Sequence, residues 1–143
     1  MLVKRTLLTG NRQQRKGSFT IELLFVLPIL MAVLLGTIEF SMFGLARQQV
    51  VAASREGARV AALGGSQQDV QQAAQLFLGN GPLANATIQV GITDDAGNPI
   101  PSGQPVQVTV SVAANQAVPD LLAFIGISIK NETIAAQTVM RKE

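Results

Sequence analysis

The chain contains no cysteine, histidine, tryptophan or tyrosine among its 143 residues. These absences exclude disulfide bonds, thiol chemistry, histidine-based proton transfer and the usual zinc sites. Catalysis would have to rely on Asp, Glu, Ser, Thr or Lys alone, so we expect neither an enzyme nor a bound cofactor or metal. Charged residues are also sparse, at 14%, and the mean hydropathy is positive at +0.32. This composition predicts a membrane anchor joined to a small domain rich in alanine and valine.

Positive charge is concentrated at the start of the chain. Residues 1–17 carry five Lys and Arg and no acid, which leaves six Lys and Arg against nine Asp and Glu, a net charge of −3, from Ser18 onward. A basic tail can indicate nucleic-acid binding, but this one adjoins an apolar run and has no aromatic residue for base stacking. Lys and Arg beside a membrane helix stay on its cytoplasmic side. We therefore predict a cytoplasmic leader at 1–17, an extracytoplasmic C-terminal part and no nucleic-acid partner.

An apolar run follows the leader, and between Ser18 and Ala46 its only charges are Glu22 and Glu39. At ~1.5 Å per residue, a helix over residues 18–38 spans about 31 Å, close to the thickness of the hydrocarbon core of a bilayer. A cleavable secretory signal is the alternative, but its apolar region is shorter and is followed early by a small-residue cleavage site. We predict a retained transmembrane helix at residues 18–45, with the lipid bilayer as a partner.

Two residues within this run have consequences of their own. Glu22 lies near the inner membrane edge, where an acid is costly, so it should have a partner. Pro28 removes a helical hydrogen bond and crowds the preceding turn, which predicts a kink or a short unwound stretch near residues 24–28.

The remaining residues, 46–143, are predicted to form an extracytoplasmic domain of the α+β class. The first helix should continue out of the membrane to Leu63 and present one face of small side chains, which permits close approach by a sheet or by another backbone. That face comprises Ala46, Val50, Ala53, Gly57 and Ala61. A domain of this size without disulfides is at the lower end of what one core stabilises, so it should need this face or a neighbouring subunit.

A second, short helix and a small sheet complete the predicted domain. Ser66 and Asp69 form a capping box at the start of a helix over Gln67–Leu78, with Phe77 on its apolar face. Alternation with a period of two then predicts about three antiparallel strands, near residues 88–92, 106–112 and 127–140. A change of register near residues 131–133 indicates a bulge in the third strand.

Two further segments allow more than one interpretation. Asp94 and Asp95 lie in a long turn that lacks the spacing of a calcium loop. An extracytoplasmic hydrolase that uses Asp94, Asp95 or Asp120 is a third hypothesis, which the lack of a paired general acid or positioned base disfavours. The apolar residues 119–126 either cover the core of the sheet, which we prefer, or form an exposed patch for a partner or the membrane surface.

The order of a basic leader, Gly17, Glu22 and a long apolar helix resembles the class III signal of type IV pilins and pseudopilins. In that family a membrane aspartyl peptidase, the prepilin peptidase, cuts after the glycine. The resemblance implies that Gly17 is the last leader residue, that Ser18 is the new N-terminus and that Glu22 is an assembly contact. The amine released at Ser18 would offset the burial cost of the Glu22 carboxylate, in the same chain or, as the family implies, in the next subunit.

Three segments also resemble the TadE-like family of the tight-adherence (Flp, or Tad) pilus system. They are ELLFVLP at 22–28, GTIEF at 36–40 and ASREGARVA at 53–61. The third contains an uncommon block that we interpret as a packing and family motif, formed by Arg55, Glu56, Gly57, Ala58 and Arg59. Leu23 stands where the major Flp pilins have tyrosine, which favours a minor or assembly pseudopilin over the main filament subunit.

The resemblance implies a single-pass protein of the bacterial inner membrane, with its N-terminus cytoplasmic, that acts in pilus assembly by helix bundling. Its partners would be the prepilin peptidase, other pilins or pseudopilins and Tad-type inner-membrane assembly proteins. The alternative is an unprocessed single-pass anchor that carries a small extracytoplasmic binding domain.

Overall fold

A computed structural model describes residues 16–93 and 97–143, with side chains from Thr20 onward. It contains two main α-helices followed by a three-stranded antiparallel sheet, which confirms the predicted α+β class. In chain order the elements are α1 (Lys16–Ala62), α2 (Gln67–Leu78), β1 (Thr87–Gly91), β2 (Pro105–Ala113), the short α3 (Ala114–Ala117), a 3-10 turn (Ala123–Ile125) and β3 (Thr133–Arg141). The chain divides into two compact units, Met1–Leu34 and Leu35–Glu143.

In the first unit, the described chain is the N-terminal part of α1, and its apolar side chains are exposed. Phe25, for example, leaves 70% of its surface uncovered. Among the described residues, α1 is the one helix long and apolar enough to cross a membrane. It stays helical on both sides of Pro28, so the unwound stretch is not formed, while a bend at Pro28 remains a prediction.

In the second unit, the predicted small-residue face of α1 is buried. Ala46, Val50, Ala53, Gly57 and Ala61 all lie in the interior. The sheet and α2 both approach this face closely at Gly57, because a Cβ placed there would stand 3.1 Å from Cγ1 of Val108 and 3.5 Å from Cβ of Ala74. The face therefore packs against both elements, as its lack of bulk predicts.

Two glycines end α1 by a hydrogen-bonding pattern typical of a Schellman motif. The N–H of Gly65 donates to the carbonyl of Val60 (3.0 Å) and that of Gly64 to Ala61 (3.1 Å). Gly64 has φ of +83°, a left-handed conformation that glycine adopts without steric cost. The chain then turns directly into α2.

The predicted capping box starts α2. The N–H of Asp69 donates to Oγ of Ser66 and the N–H of Ser66 donates to Oδ2 of Asp69. Hydrogen bonds from the Ser66 hydroxyl and then from its backbone N–H hold the pKa of Asp69 below its ordinary value. Val70, Ala74 and Leu78 are buried on the inner face, but Phe77 was placed there wrongly, since it is half exposed at the edge of the contact.

The sheet has the order β1-β2-β3, and β2 pairs with both neighbours. All four alternate valines of β2 are buried, namely Val106, Val108, Val110 and Val112. The third strand was predicted too long, because β3 starts at Thr133 and pairs without interruption with the nine residues of β2. Residues 127–132 lie outside the strand and include a turn closed by a hydrogen bond from the Glu132 N–H to the carbonyl of Ile129. The predicted bulge is absent from the pairing of β3 with β2.

We predict that Gly57→Val lowers the free energy of unfolding of the second unit by about 1–3 kcal/mol, because the added carbons would overlap Val108 and Ala74. The measurement is urea unfolding followed by circular dichroism in detergent micelles. Gly44→Val is the matched control, since the same helix offers open space around that position. Equal stability of the two variants would contradict close packing at Gly57.

Candidate functional site

The residues of the predicted processing signal lie at the start of α1. Gly17 and Ser18 fall within its first turn, and Glu22 follows on an exposed part of the helix. The side chains of residues 16–19 are outside the described part of the structure. The pairing of Glu22 with an amine at Ser18 therefore stays a prediction.

The block at residues 55–59 divides between the interior and the surface. Gly57 and Ala58 are buried against the rest of the second unit, while Arg55 is exposed. Glu56 and Arg59 form an ion pair on the surface, in which Nε of Arg59 donates to both carboxylate oxygens at 3.1 and 3.0 Å. A surface pair contributes roughly 0–1 kcal/mol, so packing by the two small residues is the stronger structural role.

Ser54, within the same segment, links α1 to the sheet. Its side chain is fully buried, and its Oγ lies 2.9 Å from Oγ1 of Thr138 on β3. Sequence reasoning missed this contact, because nothing in a run of small residues distinguishes a serine that makes a buried hydrogen bond from one that only allows close packing.

Glu39 makes the main structural contact that sequence reasoning missed. Its side chain keeps only 6% of its surface exposed. Its Oε2 accepts hydrogen bonds from the backbone N–H groups of Leu121 and Leu122, both at 3.0 Å. A buried carboxylate is costly unless it accepts such charge-assisted bonds, so Glu39 fixes residues 119–127 beside α1. We refer to residues 119–127 as the Glu39-bound loop.

The preferred prediction that residues 119–126 cover the core of the sheet was wrong, because none of these residues is buried and Leu122 contacts α1 instead. Leu122 packs over Gly36, with one methyl 3.4 Å from where a Cβ would stand. Phe124, Ile125 and Ile127 point outward and leave 65%, 47% and 55% of their surfaces exposed. The loop therefore covers part of α1 with one end and presents an apolar surface with the other.

A shallow groove runs between α1 and this loop. It has a volume of about 410 Å³ and is lined by Gly36, Glu39, Phe40, Phe43, Leu122, Ile129 and Glu132. Aromatic and aliphatic side chains form most of its walls. The groove is therefore suited to contact with apolar groups.

Asp120 is committed to the structure of the same loop. Its Oδ2 accepts a hydrogen bond from the Ser128 hydroxyl at 2.6 Å, and Ser128 Oγ accepts the N–H of Lys130 at 3.3 Å. Its other oxygen, Oδ1, is buried without a hydrogen-bond partner. Asp94 and Asp95, the other candidates of the hydrolase hypothesis, lie outside the described residues.

We predict that Glu39→Ala releases the Glu39-bound loop, because two backbone N–H groups lose their acceptor at about 1–3 kcal/mol each. Hydrogen exchange of the Leu121 and Leu122 amides should accelerate, while that of the β2 amides stays slow. The matched control is Glu132→Ala, an exposed acid in the same groove. Unchanged exchange at both amides in Glu39→Ala would show that the carboxylate does not hold the loop.

The comparisons with known proteins bear on α1. A family model described as TadE-like protein matches residues 17–59. The match contains Glu22, Glu39 and the block at 55–59 and ends inside α1, before α2 and the sheet. No curated protein and no solved structure matches the chain. Residues 17–59 are therefore similar to the TadE-like family, which confirms the resemblance found in the sequence.

Proposed function

We propose that this protein is a minor pseudopilin of a Tad-type pilus system, cut by a prepilin peptidase after Gly17 and acting in assembly through its helix. The observation that carries the proposal is the TadE-like match over residues 17–59, on a helix that is long and apolar enough to cross a membrane. Together these features fit a pilus-associated membrane protein. Cleavage, the inner membrane and a cytoplasmic N-terminus are the finer parts of the proposal.

The proposed chemistry of assembly is electrostatic. Cleavage would give Ser18 a free amine, which is mostly protonated at neutral pH in water. An ammonium group beside the Glu22 carboxylate would offset part of the cost of placing either charge near lipid. If the amine belongs to the neighbouring subunit, the pair sets the axial register between two helices, and the exposed apolar surface of α1 supplies the rest of the contact.

The second unit would be carried by the same helix as a structural module rather than as an enzyme. Because the small-residue face of α1 is part of its core, the module is joined to the helix by packing and not by a linker. A different face of α1 remains uncovered and carries Arg47 and Arg55 beside Gly44, Val51 and Ala52. Small side chains between two cations suit contact with an acidic surface of another assembly component.

The processing step predicts a defined N-terminus. Protein extracted from membranes should begin at Ser18 in cells that contain the peptidase and at Met1 in cells that lack it, as read by N-terminal sequencing. Gly17→Val should block cleavage, while Gly10→Val, a glycine within the leader, should leave it intact. An intact leader in both kinds of cell would refute processing and favour an unprocessed anchor with a small binding domain.

The assembly contact predicts a separate effect of Glu22. Glu22→Gln removes the charge with little change of shape, so it should sharply reduce co-purification with the other pilus components while membrane levels and cleavage stay normal. Glu22→Asp, which keeps the charge, should retain more of that co-purification. Normal co-purification of Glu22→Gln would contradict an ionic role and support the unprocessed-anchor alternative.

A further inference from the structure

We propose that the Glu39-bound loop is a second membrane contact, which lies on the lipid surface at the place where α1 leaves the bilayer. The partner is the boundary between acyl chains and headgroups of the extracytoplasmic leaflet. This inference rests on the proposed anchoring by α1 and adds a lipid-binding role for the second unit. It is carried by the position of the loop along α1 and by the side chains that the loop exposes.

The position of the loop is fixed by two contacts with α1. The carboxylate of Glu39 accepts the N–H groups of Leu121 and Leu122, and Leu122 packs over Gly36, one turn earlier on the helix. A helix that enters the hydrocarbon at Ser18 has covered about 31 Å at residue 38, the thickness of the hydrocarbon core. The loop is thus attached to α1 at the level of the outer hydrocarbon boundary.

The exposed face of the loop is apolar at that level. Phe124, Ile125 and Ile127 fall within four consecutive positions, and each exposes about half of its surface or more. Between them, Gly126 has φ of +86° and closes the 3-10 turn. Single exposed apolar residues are normal on protein surfaces, but three on one tight turn are typical of a segment that meets a partner or a membrane.

The exposed side chains next to the loop favour lipid as its partner. Within the same unit, α1 exposes further apolar side chains on either side of Glu39, including Ile38 at 41% and Phe40 at 77% of their surfaces. The exposed side chains of the loop therefore extend the apolar surface that α1 would present to lipid. Phenylalanine and branched aliphatic side chains are those by which interfacial segments insert below the headgroups.

The opposite end of the second unit offers a reference position. β3 begins directly after Glu132, which lines the groove together with Glu39. After β3 ends, the N–H of Glu143 donates a hydrogen bond to the carbonyl of Ala62 on α1. These two points are 23 residues, or about 35 Å, apart along α1. Val139, near the far end of β3, is 54% exposed and should stay in water.

The absence of tryptophan and tyrosine from the chain allows a direct test. Full-length Phe124→Trp and Val139→Trp are each reconstituted into vesicles of phosphatidylethanolamine and phosphatidylglycerol, with ordinary or brominated acyl chains. Bromine should quench the emission of Phe124→Trp, which should also lie at shorter wavelength and resist acrylamide. Val139→Trp should show the reverse, with strong acrylamide quenching and no effect of bromine. Ile125→Trp, from the same turn, should repeat the first result if Phe124→Trp folds poorly.

The outcomes separate this inference from the proposed function. Vesicle flotation reports anchoring, so a protein that fails to float overturns both. If Phe124→Trp floats but its emission is quenched by acrylamide and not by bromine, the protein keeps its anchor and the lipid contact is overturned. Protection from both quenchers would mean that protein, such as a second copy of the chain, covers the loop, and it would also overturn the lipid contact.

Discussion

The size of the side chains on one face of α1 is the constraint on which the second unit depends. Among the described residues, the largest side chains that are fully buried are valines, so the core contains no large aromatic anchor at its centre. Each small side chain removes little apolar area from water when it is buried. A core built from such side chains is therefore stable only if its helices and strands approach one another closely. Gly57 permits that approach, because side chains of α2 and β2 both lie within contact distance of the point where its Cβ would stand.

The two acids of the apolar part of α1 illustrate two ways to accommodate a carboxylate in an apolar helix. Glu39 lies inside the second unit and receives two N–H groups from its own chain, so it needs no cation. Backbone dipoles oriented toward a carboxylate stabilise it much as a counter-ion would. Glu22 is exposed on the helix surface, and its proposed partner is an amine that only proteolysis creates. The first acid thus organises a loop, and the second is available to organise an assembly.

Much of the fold could be predicted from the sequence, because its signals are local. The bounds of α2 were predicted as Gln67–Leu78, since the capping residues and the glycine after it mark both ends. The valine alternation of β2 and the small-residue face of α1 likewise predicted which side chains are buried. The predicted start of β3 was wrong, because apolar residues that alternate with a period of two do not guarantee that a neighbouring strand is there to pair with them. The nine residues of β2 are all paired with residues 133–141, which leaves none for residues 127–132.

The contact at Glu39 could not be predicted in the same way. Its partners are backbone amides 82 and 83 residues further along the chain, and backbone amides leave no mark in a sequence. The sequence identified Glu39 as one of two charges in the apolar run and identified the apolar segment at 119–126. It contained no signal that joins the two, because that link depends on the path of the sheet between them.

The extent of the TadE-like match has a structural explanation. The match ends at residue 59, inside α1, although several residues near its end are buried by elements that follow. Gly57 and Ala58 fill a core whose other half is supplied by α2 and β2. Any layer that presents small branched side chains at the right distance would satisfy this face of the helix. A helix motif of this kind therefore restricts the bulk of what packs on it far more than the sequence of the packing layer, so a family match can be recognised over the helix and end at residue 59.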